Sequence, residues 1–436
     1  MMFMVCLFVF CFMFLVLKIC LYISKTRDTF VDMNKPLKLI NQGTYGCVFR
    51  PNLLCSDKDN HSRKYISKVQ LKKQTSANET RIGDVIRKIN KYNLHFAPIV
   101  ETCDVNVSMI NDKELKQCDF LQTDDQRNRK YETNKIRYIG ANTLVDYFQQ
   151  EADDKIGSTL FFKKLLNSYM VLGESIRKLV AANIIHFDLK ENNIMCKDKT
   201  GRPIIIDFGL SIFADKLNDT PLQDMFFAYA PEYEPWCIDI CILSYIANET
   251  KSNPDFLSTA VSIENFNPII SQFVEKSFLK SDLFTPDEQK LFKSNMDTYL
   301  RKIIGGGFVL SPTWKSISEA LLTHWNTWDN YSLACIYLQL IDDFGVVFYM
   351  NNVEATKEFI QLLKKIMLAP PDLRETIDAT ISQTIQLFKR VDKESFVKLR
   401  QSARRVFQTP EQVKLRTHKI MASKQNTVMQ EKAVYK

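Results

Sequence analysis

The run His186-Phe187-Asp188-Leu189-Lys190-Glu191-Asn192-Asn193 gathers a carboxylate, an ammonium and a carboxamide in one short segment. Asp207-Phe208-Gly209 adds a second carboxylate. These residue types suit transfer of a phosphoryl group. A carboxylate at Asp188 can orient an attacking hydroxyl, and Lys190 can neutralise charge on the moving group. Asn193 and Asp207 offer the amide and carboxylate oxygens that Mg2+ prefers as ligands. One Asp in a loop would carry little information. Here two acidic motifs each follow an apolar run, Ile184-Ile185 and Ile204-Ile205-Ile206, and that joint pattern is specific.

The elements that must hold these residues can be read from periodicity. Residues 36 to 49 alternate apolar and turn residues, which predicts a strand, a tight glycine turn and a second strand. Tyr65, Ile66 and Val69 predict another strand, and Ile82, Val85, Ile86 and Ile89 recur at helical spacing between Asn78 and Lys91. Residues 101 to 130 are polar and irregular, a hairpin and insertion ahead of a strand at Ile136 to Ile139. Beyond residue 143 the pattern turns helical, with a long amphipathic helix from Leu160 to Ala182. Residues 240 to 326 read as helical and irregular, and the chain stays helical to about 390, with no internal repeat. The fold class expected from this order is α+β, a small strand-rich lobe followed by a large helical one.

Composition bounds the class further. The 436 residues can bury a sizeable core, and 45% hydrophobic with 25% charged residues excludes collagen-like and wholly disordered chains. The formal excess of +8 sits at one end. From Lys398 onward ten Lys or Arg face only Glu411 and Glu431, which accounts for the whole excess. Such a tail, residues 396–436, either stays solvated or meets nucleic acid or an anionic surface. The eleven cysteines show no paired CxxC spacing, so neither a zinc site nor a disulfide framework is expected, in keeping with a reducing compartment. Met1 to Leu17 lacks any charged residue, and the apolar run of residues 2–23 is long enough to span a bilayer. Lys18, Lys25 and Arg27 follow it, which favours an anchor with the next domain in the cytosol. A cleaved leader fits less well for want of a charged start and a cleavage site. Translation from Met33 would leave the run unused.

Taken together, the loop at Asp188 and the Asp207-Phe208-Gly209 triplet resemble the catalytic loop and metal-binding motif of protein kinases. Lys190 at its position resembles the serine/threonine pattern. The resemblance covers residues 37 to 390 and implies a two-lobed kinase fold that uses ATP and Mg2+ and acts on a protein substrate. Within it Asn41-Gln42-Gly43-Thr44-Tyr45-Gly46-Cys47-Val48 is similar to the glycine-rich loop over the ATP phosphates, with Asn41 in place of the first glycine. Gly43, Gly46 and Val48 are then nucleotide-binding positions. Lys68 stands where the family has its phosphate-binding lysine, and Glu79, eleven residues on, is its expected ion-pair partner.

Ala230-Pro231-Glu232 resembles the motif that closes the activation segment, 26 residues from Asp207 to Glu232, and Arg374 is the expected buried partner of Glu232. Asp329-Asn330-Tyr331-Ser332-Leu333 is similar to the next landmark, an Asp opening a helix, whereas Asp239 lies too near Glu232. The difference makes residues 240–325 an insertion, open to a docking or a packing role. The wording of Gln42–Phe49, His95–Ile99, Ile136–Gly140, His186–Ile194 and Tyr229–Tyr233 is similar to the divergent kinases of nucleocytoplasmic large DNA viruses, which implies host cytoplasm or virion as location. One departure has consequences. Phe187 replaces the arginine that receives an activation-loop phosphate, so phosphorylation at Thr220 meets no cation and activity without it is expected.

The domain reading is a hydrophobic segment 1–24, a linker 25–36, an N-lobe 37–140, a C-lobe 141–395 and the basic tail, in a monomer. Two other functions share these residues. A pseudokinase scaffold would bind partners without transfer, but Lys68, Asp188, Asn193 and Asp207 are all present. A small-molecule or lipid kinase would not need the Ala230-Pro231-Glu232, Asp329 and Arg374 set.

Overall fold

A computed structural model describes residues 37–43, 46–55, 62–72, 74–105, 107, 110, 113, 117–121, 130–153, 158–198, 200–305, 312–344 and 354–390. The apolar start, the linker, Thr44 and Tyr45 of the glycine loop and the basic tail lie outside them. The chain is mixed α+β. Its strands are β1 (Lys38–Gly43), β2 (Gly46–Arg50), β3 (Tyr65–Leu71), β4 (Phe96–Ala97), β5 (Ile99–Val105), β6 (Tyr131–Arg137), β7 (Ile184–Ile185), β8 (Ile194–Cys196), β9 (Pro203–Ile206) and β10 (Ile212–Phe213). Two compact units are formed. One takes the described residues up to Lys72 and Val100–Tyr138; the other takes those of Lys73–Ile99 and from Ile139 on.

The first unit is a five-stranded sheet in the order β1-β2-β3-β6-β5. Alternation in β2 and β3 turns Cys47, Phe49 and Val69 into a small core with Tyr131. Val107, Ile110, Cys118 and Leu121 join that core, so the polar 101–130 stretch supplies apolar anchors as well as connection. Two disulfides, Cys47–Cys118 and Cys55–Cys103, tie it down, with Cα separations of 6.1 and 5.6 Å. They overturn the expectation of no disulfide framework. Their partners are 71 and 48 residues apart in sequence, so no local spacing could reveal them.

The second unit is mostly helical: α1 (Gln74–Lys88), α2 (Leu144–Asp153), α3 (Ser158–Ala181), α4 (Leu222–Met225), α5 (Ile238–Ser252), α6 (Asn267–Lys276), α7 (Pro286–Gly305), α8 (Trp314–Leu322), α9 (Trp328–Asp343), α10 (Glu354–Leu368) and α11 (Ile377–Arg390). Helix α3 buries Phe162, Leu165, Leu166, Tyr169, Leu172, Ile176 and Leu179, the three-and-four spacing of a core-facing stripe. Helix α9 is buried on all sides from Trp328 to Leu338, as a central helix must be. Tyr337 on α9 meets Tyr169 of α3 edge to face at 4.8 Å, and its hydroxyl is 2.6 Å from Ser168 Oγ. The described residues between 240 and 325 are mostly helical. Ile246, Phe266, Phe273, Phe292, Met296, Trp314 and Ile317 from this stretch lie in the same core as Phe187 and Leu189, which makes it a packing layer of this unit. Among the described residues no helix is long and apolar enough to cross a membrane.

Candidate active site

Asp188, Lys190, Asn193, Asp207 and Glu79 all belong to the second unit. Short strands set the spacing. β7 delivers the chain to residues 186–190 and pairs with β10, Ile185 opposite Ile212. β8 and β9 pair antiparallel with Ile194 opposite Ile205, so Asn193 and Asp207 leave the same end of that hairpin one step apart in register. Two bonds lock the ends together. His186 Nε2 donates to the Ile206 carbonyl at 3.0 Å, and Ser211 Oγ donates to the His186 carbonyl at 3.2 Å. Facing a carbonyl acceptor, Nε2 must carry a proton.

Asp329, in the first turn of α9, holds the loop from below. Its carboxylate accepts from His186 N at 2.7 Å and from Phe187 N at 3.1 Å. Burial pushes its pKa up, while His186 and the two backbone donors pull the other way. Phe187 has φ 69°, in the left-handed region, and Asp207 has φ 59°. Such backbone is costly for a bulky side chain and persists only where neighbours over-determine it. Around Phe187 they do: its ring packs on Trp236 at 5.1 Å and Phe226 at 5.6 Å, and Trp236 Nε1 donates to its carbonyl at 2.8 Å.

The Asp188 carboxylate is the hub. Oδ2 accepts from Asn193 Nδ2 at 2.9 Å, and the same nitrogen donates to the Asp188 carbonyl at 2.8 Å. Oδ1 lies 3.2 Å from Lys190 Nζ and accepts from the Tyr233 hydroxyl. Lys190 Nζ also sits 5.6 Å from the centre of the Tyr233 ring. The arrangement fixes a carboxylate, a cation and an amide in mutual contact. With its nitrogen turned to Asp188, the Asn193 amide offers its oxygen as the cation-binding end, and with the Asp207 carboxylate that is a donor set suited to Mg2+. A Cβ at Gly209 would lie 3.3 Å from Asp207 Oδ1 and 3.8 Å from Glu79 Oε2, so both carboxylates flank this glycine. Glu79 itself is buried on α1, and its neighbour Asn78 donates to the Ser211 carbonyl at 2.9 Å.

The other expected positions belong to the first unit. Lys68 on β3 stands opposite Val48 of β2 and Asn134 of β6. Gly43 and Gly46 face each other at the end of β1 and β2. A Cβ at residue 46 would overlap the Val69 carbonyl of β3, so the neighbouring strand alone requires glycine there. Asn41, where a first glycine was expected, is a β1 strand residue opposite Val48 and accepts from Gln42 N at 2.8 Å.

One expected pairing is corrected. Arg374 is buried against Asp239 at 2.7 Å, whereas Glu232 is exposed. Pro231 and the turn at Tyr233 direct the chain so that Asp239, at the start of α5, reaches the arginine instead. Sequence reading also missed Tyr233 and Trp236. The aromatic pair following Pro231 was the only signal for them.

No protein-family model matches the chain. A relative, the EKC/KEOPS complex subunit BUD32 of Yarrowia lipolytica, is 41% identical over 72 residues. The match covers 16% of this chain and 28% of that protein, so the chain spans little more than a quarter of the relative's length. This likeness suggests a protein-kinase-like family. The mixed α+β fold is compatible with it.

Proposed function

We propose that the chain is a serine/threonine protein kinase that moves the γ-phosphate of Mg-ATP onto hydroxyls of protein substrates. The observation that carries this reading is the contact of Asp188 with both Lys190 and Asn193, on a loop capped by Asp329. In this reading Asp188 binds the acceptor hydroxyl and takes its proton as the new P–O bond forms, while Lys190 balances charge on the phosphoryl group. Asn193 and Asp207 would hold Mg2+, which supplies charge neutralisation at the phosphates. Lys68, whose expected partner from sequence is Glu79, would position the nucleotide together with Gly43, Gly46 and Val48. Because Phe187 docks among aromatic rings and offers no charge, activity independent of Thr220 phosphorylation belongs to the same proposal.

The viral source, the anchor at residues 2–23, the tail's contact with nucleic acid or an anionic surface and the monomeric state are likewise proposed from sequence. Of the two locations, host cytoplasm and virion, the disulfides favour the virion, since reducing cytosol disfavours such bonds. A second reading, a scaffold without transfer, draws on one observation, the Tyr233 hydroxyl seated on Asp188. Transfer of labelled γ-phosphate by wild type beside Asp188→Asn separates the two.

A further inference from the structure

Tyr233 follows Ala230-Pro231-Glu232 in a tight turn, its own N–H donating to the Ala230 carbonyl at 3.0 Å and the Trp236 N–H donating to the Tyr233 carbonyl at 3.0 Å. Its ring leans on Trp236 at 4.9 Å between centroids. The phenol hydroxyl reaches Asp188 Oδ1, the oxygen that Lys190 also approaches, while Asn193 holds Oδ2. The Asp188 side chain is only 13% exposed. A hydroxyl on a carboxylate oxygen beside a lysine is the arrangement that an acceptor serine or threonine needs in order to give up its proton and attack phosphorus. Tyr233 therefore takes up the hydrogen bond and the scarce access that an acceptor would use.

Resting on the kinase reading above, we infer that Tyr233 is a built-in occupant of the acceptor position, which an incoming substrate must displace. The displacement is local. The backbone of the turn is pinned at Ala230 and by Trp236, whose indole nitrogen holds the Phe187 carbonyl at 2.8 Å. Rotation of the Tyr233 side chain alone would free Asp188 Oδ1 without disturbing Asp329, Asn193 or the metal-binding end. A substrate must then offer enough contact elsewhere to offset the lost phenol–carboxylate bond. Acceptors that bind only through their hydroxyl are excluded, and the gate acts as a filter for selectivity.

The test is Tyr233→Phe, which keeps the ring on Trp236 and removes only the hydroxyl. Wild type, Tyr233→Phe and Asp188→Asn are compared in two-substrate kinetics with full-length protein, a generic basic protein as acceptor and thermal unfolding as a check of the fold. The expected result is an acceptor KM lowered roughly tenfold, as for loss of a competing bond to a charged group. The KM for ATP and the melting temperature should stay unchanged and kcat should not fall. A fall in kcat, or unchanged acceptor KM with active wild type, overturns the occupant role and leaves the kinase reading standing. Binding of Mg-ATP without transfer by either wild type or Tyr233→Phe overturns both.

Discussion

Arg374 and Asp239 form an ion pair with both side chains wholly excluded from solvent, Nη2 to Oδ1 at 2.7 Å and Nη1 to Oδ2 at 3.1 Å. Thr327 Oγ1 takes a further bond from Nη1, and Trp328 Nε1 donates to Asp239 Oδ2, each at 3.1 Å. Burial acts to lower the arginine's pKa, but the Asp239 carboxylate outweighs it and the guanidinium titrates above its ordinary range. Removing one partner strands the other charge in the core. Arg374→Ala or Asp239→Ala is therefore expected to cost roughly 3–5 kcal/mol. Glu232→Ala, at an exposed site, should stay within about 0.5 kcal/mol. Chemical denaturation measures both, and equal losses at Glu232 and Asp239 would contradict the pairing.

Asp329 turns two backbone N–H groups toward one carboxylate. Asp329→Asn leaves a single acceptor oxygen and brings an amide nitrogen against a donor. The expected outcome is a loss of about 1–3 kcal/mol in stability and a kcat at least about tenfold lower, since Phe187 and Asp188 lose their frame. Steady-state kinetics and thermal unfolding check it. Full kcat in Asp329→Asn would show that the loop keeps its shape without this cap.

The two disulfides close loops of 71 and 48 residues in the first unit. Chain entropy alone assigns each about 4 kcal/mol of stabilisation. Peptide mapping without reductant should recover linked peptides for Cys47–Cys118 and Cys55–Cys103, and reduction should lower the melting temperature. Cys196, Cys237, Cys241 and Cys335 are buried and free, so they should resist alkylation until the chain unfolds. Recovery of Cys47 or Cys55 as ready thiols from unreduced protein would contradict the pairing.

His95 is held neutral, its pKa lowered to about 4 by burial and by Arg202 and Lys178, against Glu174. Its Nδ1 lies 2.9 Å from Ser175 Oγ. Because the folded value lies below the unfolded one, protons favour the unfolded chain. The stability His95 preserves is present above about pH 6.5 and is lost as pH falls toward 4. His95→Asn keeps a polar partner for Ser175 and should show a shallower fall in stability across that window than wild type. Parallel curves for the two would remove His95 from the acid response.

The parts of this fold that sequence makes legible are those fixed locally. Asp188 and Asp207 follow short apolar strands and Asn193 stands just before one, so the apolar runs Ile184-Ile185 and Ile204-Ile205-Ile206 announce both the strands and the loop. The α3 stripe from Phe162 to Leu179 repeats its apolar residues at helical spacing, so its existence and length can be read directly. Contacts decided by packing are another matter. Arg374 takes Asp239 and not Glu232 as its partner, a choice made by where the chain after Pro231 places the start of α5 and not by any local pattern. Cys47 and Cys118 meet because β2 and a distant loop share one small core. Tyr233 looks like any aromatic in a turn until its hydroxyl is found on Asp188.

The central claim is that Asp188 and its neighbours transfer a phosphoryl group. Transfer of labelled γ-phosphate from ATP to a generic basic protein, by wild type and by Asp188→Asn, tests it most directly. The account predicts label on serine and threonine with wild type, and at least about a thousandfold less with Asp188→Asn at unchanged Mg-ATP affinity. Equal transfer by the two proteins would contradict the role of Asp188, and bound Mg-ATP with no transfer by wild type or Tyr233→Phe would contradict the kinase reading itself.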